Sequence, residues 1–491
     1  MYVRSSKWRL NMIEVKEVSF NYSEEKNHIL KDINININKG ECILLCGRSG
    51  CGKTTITKLI NGLIPNFTEG KLIGNIYIDS ENLNKMKMYE ISSKVGSVFQ
   101  NPKSQFFNID SDSELVFGME NKGCSRYYMI DRKNTIVNEL DIKGLLGRNI
   151  FEMSGGEKQL LAFASVYAMN PDVYVLDEPS ANLDLETIDK LYEILKIIKN
   201  QGKTIIISEH RLYYLKGLVD KVVLIDNGII KRKYTADEFF KINEEKRAKI
   251  GLRTFQAPIK PSKLVLDDNI YTSHDLKINN LSCKVGKNII LSDITINAGY
   301  GDIIGVLGRN GQGKSTLMRC LCGLIKECKG EISLDNKKLS AKDRIKNCFM
   351  VMQDVGHQLF GESVFEEFYM NDDYISSEQI NEILKECYLY EYRNQHPLAL
   401  SRGQKQRLAV GLAAISNKKI LIFDEPTSGL DYNCMCTVSN IIKKLSQKKH
   451  IIFIITHDME FYDMTCNRTV IVDKGQIIDE GRPYYIKSTC I

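Results

Sequence analysis

Two stretches of this chain are built alike: Gly47-Arg48-Ser49-Gly50-Cys51-Gly52-Lys53-Thr54-Thr55, and Gly308-Arg309-Asn310-Gly311-Gln312-Gly313-Lys314-Ser315-Thr316. Both fit G-x-x-x-x-G-K-[ST], and chance supplies only about 0.02 such matches in a chain of ordinary composition and this length. The glycines let successive backbone N–H groups turn inward around a polyphosphate, while a following helix points its positive end at the same charge. The apolar runs before the two loops, residues 42–46 and 303–307, read as short buried strands. Each copy is therefore expected to be strand, loop, helix. Gly47, Gly50, Gly52 and Thr55, with Gly308, Gly311, Gly313 and Thr316, are the expected cradles of two nucleoside triphosphates. Lys53 and Lys314 are placed to reach β- and γ-phosphates, and Thr54 and Ser315 to offer hydroxyls to Mg²⁺, which takes oxygen ligands.

Later landmarks recur too. Ser154 and Ser401, Glu178 and Glu425, and His210 and His457 each stand 247 positions apart, against 261 for the loops. The chain thus reads as two tandem domains in register, with insertions and deletions confined to their middles, each above 200 residues and able to bury its own core. The expected layout is a disordered extension over 1–11, a first domain over 12–240, a linker over 241–272 containing Pro258 and Pro261, and a second domain over 273–491. A charged helical piece is expected over 236–250.

Composition narrows the class. Sixty-seven basic and 61 acidic residues leave a net charge of +6, dispersed along the chain, which does not argue for nucleic acid. Fourteen cysteines include no C-x-x-C pair, so zinc and iron–sulfur ligation are not expected, and reduced thiols are. No apolar run approaches the roughly 18 residues a bilayer span needs. The first residues, 1–7, are basic without an apolar signal core.

Between the paired landmarks, Val173-Tyr174-Val175-Leu176 runs into Asp177-Glu178-Pro179, and Ile420-Leu421-Ile422-Phe423 into Asp424-Glu425-Pro426. A buried strand that delivers two carboxylates at its end lets the first (Asp177, Asp424) hold the Mg²⁺ shell and the second (Glu178, Glu425) polarise attacking water. Ahead of these strands stand Met153-Ser154-Gly155-Gly156-Glu157-Lys158-Gln159 and Leu400-Ser401-Arg402-Gly403-Gln404-Lys405-Gln406. Each reads as a capping box, and a helix N-terminus is also an anion site.

The order of these motifs resembles the ATP-binding-cassette ATPases over nearly all of both halves. The resemblance implies an α/β fold of two tandem P-loop cassettes, each with a mainly parallel core sheet, an antiparallel β subdomain and a helical subdomain. It implies ATP and Mg²⁺ as ligands and hydrolysis of ATP. It also implies head-to-tail pairing of the cassettes. Ser154, Gly155, Gly156 and Glu157 would then face the nucleotide on Lys314, and Ser401, Arg402, Gly403 and Gln404 the one on Lys53. Gln100 and Gln353 match the Q-loop glutamine near Mg²⁺ and water, Asp184 and Asp431 the D-loop, and His210 and His457 the γ-phosphate switch. Tyr22 matches an adenine-stacking aromatic whose nearest counterpart in the second half is Val285. Arg402 departs from the family's glycine; a cation there could pair with γ-phosphate or crowd it.

The segments Gln100-Asn101-Pro102-Lys103-Ser104-Gln105-Phe106-Phe107 and Gln353-Asp354-Val355-Gly356-His357-Gln358-Leu359-Phe360, with Ser208-Glu209-His210-Arg211-Leu212, are similar to the energy-coupling-factor importers. That resemblance implies a transmembrane coupling subunit and a small substrate-binding membrane subunit as partners, and a peripheral position on the cytoplasmic face. The cargo would be a vitamin, a vitamin precursor or a metal ion. Asp110, Asp112 and Glu114, and Glu362, Glu366 and Glu367, are candidates for meeting an arginine of the coupling subunit. The alternatives are a soluble double cassette acting on ribosomes or DNA, and a fused sugar-importer ATPase. Ribosome-type members carry a long charged helical linker, which the region around Pro258 lacks.

Overall fold

The computed structural model describes residues 11–22, 29–181, 183–258, 264–265, 275–286, 288–370 and 375–483. The expected N-terminal extension, up to residue 10, and most of residues 259–274 lie outside them. The chain divides into two compact units, the first ending at Ala257 and the second beginning at Pro258.

In the first unit a six-stranded sheet runs Ile229–Thr235, Lys221–Asp226, Cys42–Gly47, Thr204–Ser208, Val173–Asp177, Val95–Val98. The last five strands are parallel, and the edge strand Ile229–Thr235 returns antiparallel. Strand alternation splits the sheet's side chains between two cores. Ile43, Leu45, Val173, Val175 and Ile206 face an antiparallel sheet of Leu30–Asn38, Asn11–Tyr22, Gly70–Ile78 and Glu81–Asn82. Leu44, Cys46, Tyr174, Leu176, Ile205 and Ile207 face the helices Gly155–Ala168 and Leu185–Asn200. The second unit repeats the plan. Its sheet places Ile303–Leu307 between Arg468–Asp473 and Ile451–Ile455, followed by Ile420–Asp424 and Cys348–Val351. Its antiparallel sheet is Asn288–Ala298, Leu276–Val285, Cys328–Leu334, Lys337–Lys338.

The expected helical piece over 236–250 is broken in two, Ala236–Phe240 and Glu244–Ile250. Asn243 causes the break, because its side chain accepts from Lys246 N and caps a new helix. The segment then folds back on the first unit, with Phe239 and Leu252 buried in its core and Phe255 packed against it. The helical regions of the two units differ. The first carries a full helix, Ser111–Asn121, after the segment that follows Gln100, whereas the matching described stretch of the second forms one tight turn, Glu366–Phe368.

Candidate active sites

Each glycine-rich loop leaves the carboxyl end of a central strand, where ligands of open parallel sheets bind. Gly50 and Gly52 have φ of +78° and +104°, Gly311 and Gly313 of +78° and +100°, a region other residues rarely enter. A Cβ at Gly47 would lie 2.0 Å from the Ile225 carbonyl oxygen, and one at Gly308 would lie 2.1 Å from that of Val472. At Gly50 and Gly311 a Cβ would meet nothing within 4 Å, so the loops are tight at the back and open at the mouth. Lys53 Nζ folds back to the carbonyls of Gly47 and Arg48, 3.0 Å from each, and Lys314 Nζ to those of Gly308 and Arg309, 2.7 Å from each. The helices Lys53–Ile60 and Lys314–Leu321 that follow have no side-chain cap, which leaves their first N–H groups for an anion. Thr55 is buried against the Tyr22 hydroxyl at 3.2 Å, which sets the Tyr22 ring beside the loop; Thr316 is half-buried. The side chain of Val285 lies outside the described ones.

The two hydroxyls meet the two aspartates. Thr54 Oγ1 donates to Asp177 Oδ1 at 3.2 Å, and Ser315 Oγ to Asp424 Oδ2 at 2.9 Å. Burial, and then the adjacent Glu178 carboxylate, push the Asp177 pKa from 3.8 up to about 6. Burial also raises that of Asp424, with Ser315, Arg319 and Lys314 opposing. A buried carboxylate with its anionic form disfavoured, bonded to a hydroxyl at the edge of a phosphate cradle, fits a hard divalent cation such as Mg²⁺, which supplies the charge that offsets the triphosphate.

Glu178 and Glu425 have φ of +46° and +52°. That conformation costs a residue with a Cβ about 1–2 kcal/mol, and it persists because both amides are fixed, Glu178 N to Ser208 O at 2.8 Å and Glu425 N to Ile455 O at 2.9 Å. The twist brings each carboxylate to the histidine at the end of the neighbouring strand. His210 Nε2 is 3.5 Å from Glu178 Oε1, and His457 Nε2 is 3.7 Å from Glu425 Oε1. Gln100 Nε2 also donates to Glu178 Oε2. Gln353 is exposed and makes no such bond among the described contacts. His457 Nε2 further meets Asn310 Oδ1 at 2.9 Å, a loop residue that sequence reasoning did not single out.

The two helices Gly155–Ala168 and Arg402–Ile415 open with the expected capping boxes, Ser154 with Glu157 and Ser401 with Gln404. Gly156 and Gly403 are buried, whereas Gly155 is exposed. Glu157 is further held by Arg148; burial works against its charge, but Arg148 and the Ser154 amide keep its pKa below the usual carboxylate value. Asp184 and Asp431 cap the helices Leu185–Asn200 and Tyr432–Gln447 through Thr187 N and Cys434 N. Asn182, beside Asp184, lies outside the described residues.

The ABC transporter family model matches residues 30–181 and again residues 291–428. The chain belongs to the ABC transporter family. A Treponema denticola protein named as an ABC transporter ATP-binding protein is 45% identical over 473 residues, covering 96% of this chain and 97% of the relative. A similarly named Clostridium perfringens protein is 31% identical over 513 residues, covering 96% and 90%. Among solved structures, archaeal ABCE1 in a model of ribosome-bound Pelota and ABCE1 superposes with a TM-score of 0.68 at 20% identity, over 94% of this chain and 78% of that one. That likeness carries the fold alone. The chain is a double-cassette ABC ATPase, and its cassettes bind ATP.

In this ABC ATPase the acidic residues after each Q-loop glutamine correct an expectation. Glu114 and Glu367 are buried, at 3% and 2% exposure, and so are not surface charges for a partner's arginine. Glu114 Oε2 accepts from Phe107 N, Asn108 N and Asn108 Nδ2; Glu367 Oε2 accepts from Phe360 N and Gly361 N. Asp112 is engaged by Lys133 and Gly147 N, and Asp110 caps its own helix through Ser113 N. Glu362 and Glu366 are exposed. The corresponding glutamines bridge the strand ends. Gln105 takes Phe99 N at 3.3 Å and donates to Ser97 O at 3.1 Å; Gln358 does the same with Met352 N and Met350 O, at 2.7 Å each. Gln105 and Gln358 stand 253 positions apart, as do Gln100 and Gln353. That shared spacing was the signal that could have revealed the clamp.

Proposed function

We propose that this ATPase energises an energy-coupling-factor type importer for a vitamin, a vitamin precursor or a metal ion. It would act as a peripheral subunit on the cytoplasmic face of the membrane, with a transmembrane coupling subunit and a substrate-binding membrane subunit as partners. The observation that carries the reading is a duplicated ledge beside each Q-loop. The clamps described above hold Phe107 and Phe360 out into solvent, at 76% and 72% exposure. Ile109 extends the first ledge at 64% exposure, and Phe107 stacks on Phe117 with ring centroids 5.0 Å apart. A rigidly presented aromatic that its own cassette leaves uncovered suits an apolar element of another subunit. No helix among the described residues is long and apolar enough to cross a membrane, so a membrane function requires such a subunit.

In this proposal the two cassettes pair head-to-tail. Each ATP lies on one cassette's Lys53 or Lys314 loop, beneath the other's Ser401–Gln404 or Ser154–Glu157 stretch. Within each site Asp177 or Asp424, with Thr54 or Ser315, would hold Mg²⁺. Glu178 or Glu425 would orient and deprotonate the attacking water, and His210 or His457 would hold that carboxylate and sense the γ-phosphate.

The test is affinity purification of the tagged chain from detergent-solubilised native membranes, with mass spectrometry of what accompanies it. A polytopic subunit and a small membrane binding protein are expected. Both should be lost from the Phe107→Ser/Phe360→Ser protein, with ATP binding kept. Recovery with ribosomes or DNA from the soluble fraction alone would overturn the reading.

A further inference from the structure

The stretches Ser154–Glu157 and Ser401–Gln404, each opening a helix, are the signature motifs of the two cassettes, and the arginine that breaks the second does not stand alone. Arg402 Nη2 donates to Ser428 Oγ at 2.9 Å, so the first residue of the helix Arg402–Ile415 is tied to the D-loop that follows Glu425. At the 247-residue spacing, Arg402 matches Gly155 and Ser428 matches Ala181. Both ends of the tie are thus absent from the first cassette, and both are present in the second. Neither a lone arginine nor a lone serine would make it.

The first cassette holds its D-loop from another side. Arg211, next to His210, donates through Nη1 to Ser180 O at 3.2 Å and Leu183 O at 3.0 Å. Buried Glu209 completes that grip by accepting from Ser180 N at 3.2 Å, His210 N at 2.7 Å and the Tyr214 hydroxyl at 2.9 Å. At the position that matches Arg211 the second cassette has Asp458, which accepts from Thr427 Oγ1 at 2.9 Å.

We propose that Arg402 is a positioning residue that couples the signature helix to the D-loop, and through it to Glu425, in the second cassette only. It acts by holding Ser428, three residues beyond the carboxylate, and not by contact with phosphate. The two ATP sites are then inequivalent, because one D-loop follows its switch-histidine segment while the other also follows its signature helix. The proposal rests on reading Glu425 as a hydrolytic carboxylate. Turnover that persists in the Glu178→Gln/Glu425→Gln protein would sink that reading separately.

The experiment is a mutant cycle in full-length Glu178→Gln protein, where turnover reports Glu425. The variants Arg402→Gly and Ser428→Ala install the first cassette's residues, and the double variant closes the cycle. Each single change is expected to lower kcat about threefold with KM for ATP within twofold, and the double variant to fall no further than either. Amide exchange of residues 427–431, read without nucleotide, should quicken alike in all three. A Ser428→Ala protein indistinguishable from its parent overturns the proposal, as does a double variant whose losses multiply. So does an Arg402→Gly protein that raises KM at unchanged kcat, the mark of direct contact with nucleotide. Where the parent turns over too slowly, the exchange measurement decides: unchanged exchange in Arg402→Gly and Ser428→Ala refutes the coupling.

Discussion

Asp177 is a place where the free protein is held against its own stability, and Asp177→Asn measures by how much. The carboxylate is 9% exposed, lies beside Glu178, and has its pKa raised from 3.8 to about 6. A folded-state pKa above the unfolded one means that the protonated acid favours folding. The advantage is complete below about pH 4 and is lost as pH rises through about 6. At pH 8 the ionised Asp177 therefore costs about 3 kcal/mol relative to a neutral group, at 1.36 kcal/mol per pH unit. Asparagine keeps an oxygen to accept from Thr54 Oγ1 and carries no charge. For a unit of this size each kcal/mol moves the melting point by about 2–4 °C, so Asp177→Asn should raise the first transition of nucleotide-free protein by about 6–12 °C at pH 8. The gain should shrink toward zero by pH 4. Scanning calorimetry across that range, without divalent cation, checks it. The same variant should lose the stabilisation that Mg²⁺ and ATP together give the parent. A melting point unchanged at pH 8, or a gain as large at pH 4 as at pH 8, would refute the reasoning.

Glu178→Gln together with Glu425→Gln should cut ATP turnover by at least about a hundredfold while fluorescent-nucleotide binding persists; turnover within tenfold of the parent would exclude these carboxylates. Gly50→Ala and Gly311→Ala place a methyl where the free loop is open but where a phosphate must lie. They should cost about 1–2 kcal/mol of stability for the positive φ and yet abolish nucleotide binding at the altered site, which equilibrium dialysis on single variants would show. Glu114→Ala strips the shared acceptor from two backbone amides and the Asn108 side chain. It should destabilise the first unit by about 2–3 kcal/mol and speed amide exchange of residues 105–109; unchanged exchange would mean the Phe107 ledge is held by something else.

What could be read in advance followed local rules. The loops, strands and capping boxes are specified by residues within a few positions of one another, so the glycine-rich loops, the strands Val173–Asp177 and Ile420–Asp424 and the Ser154 and Ser401 caps stand where the sequence puts them. Glu178 and Glu425 could be named but their left-handed backbone could not. That conformation is imposed by hydrogen bonds to Ser208 and Ile455, which are 30 residues further along the chain. Glu114 shows the opposite failure. An acid in the first turn of a helix looks like surface charge, and only tertiary burial discloses that it is the acceptor of a loop seven residues upstream.

Arg402 joins the two lessons. The sequence announces it as a departure from an otherwise regular motif, and from the motif alone its guanidinium can only be imagined beside a nucleotide. Ser428, its hydrogen-bond partner, is itself a departure from Ala181 of the first cassette. Two departures at one register mark a pair, and a pair built within one cassette points to a task between its own parts. Comparing the halves of a duplicated chain position by position thus finds what comparison with a motif passes over, since a motif records where a residue is unusual and the sister domain records what changed with it.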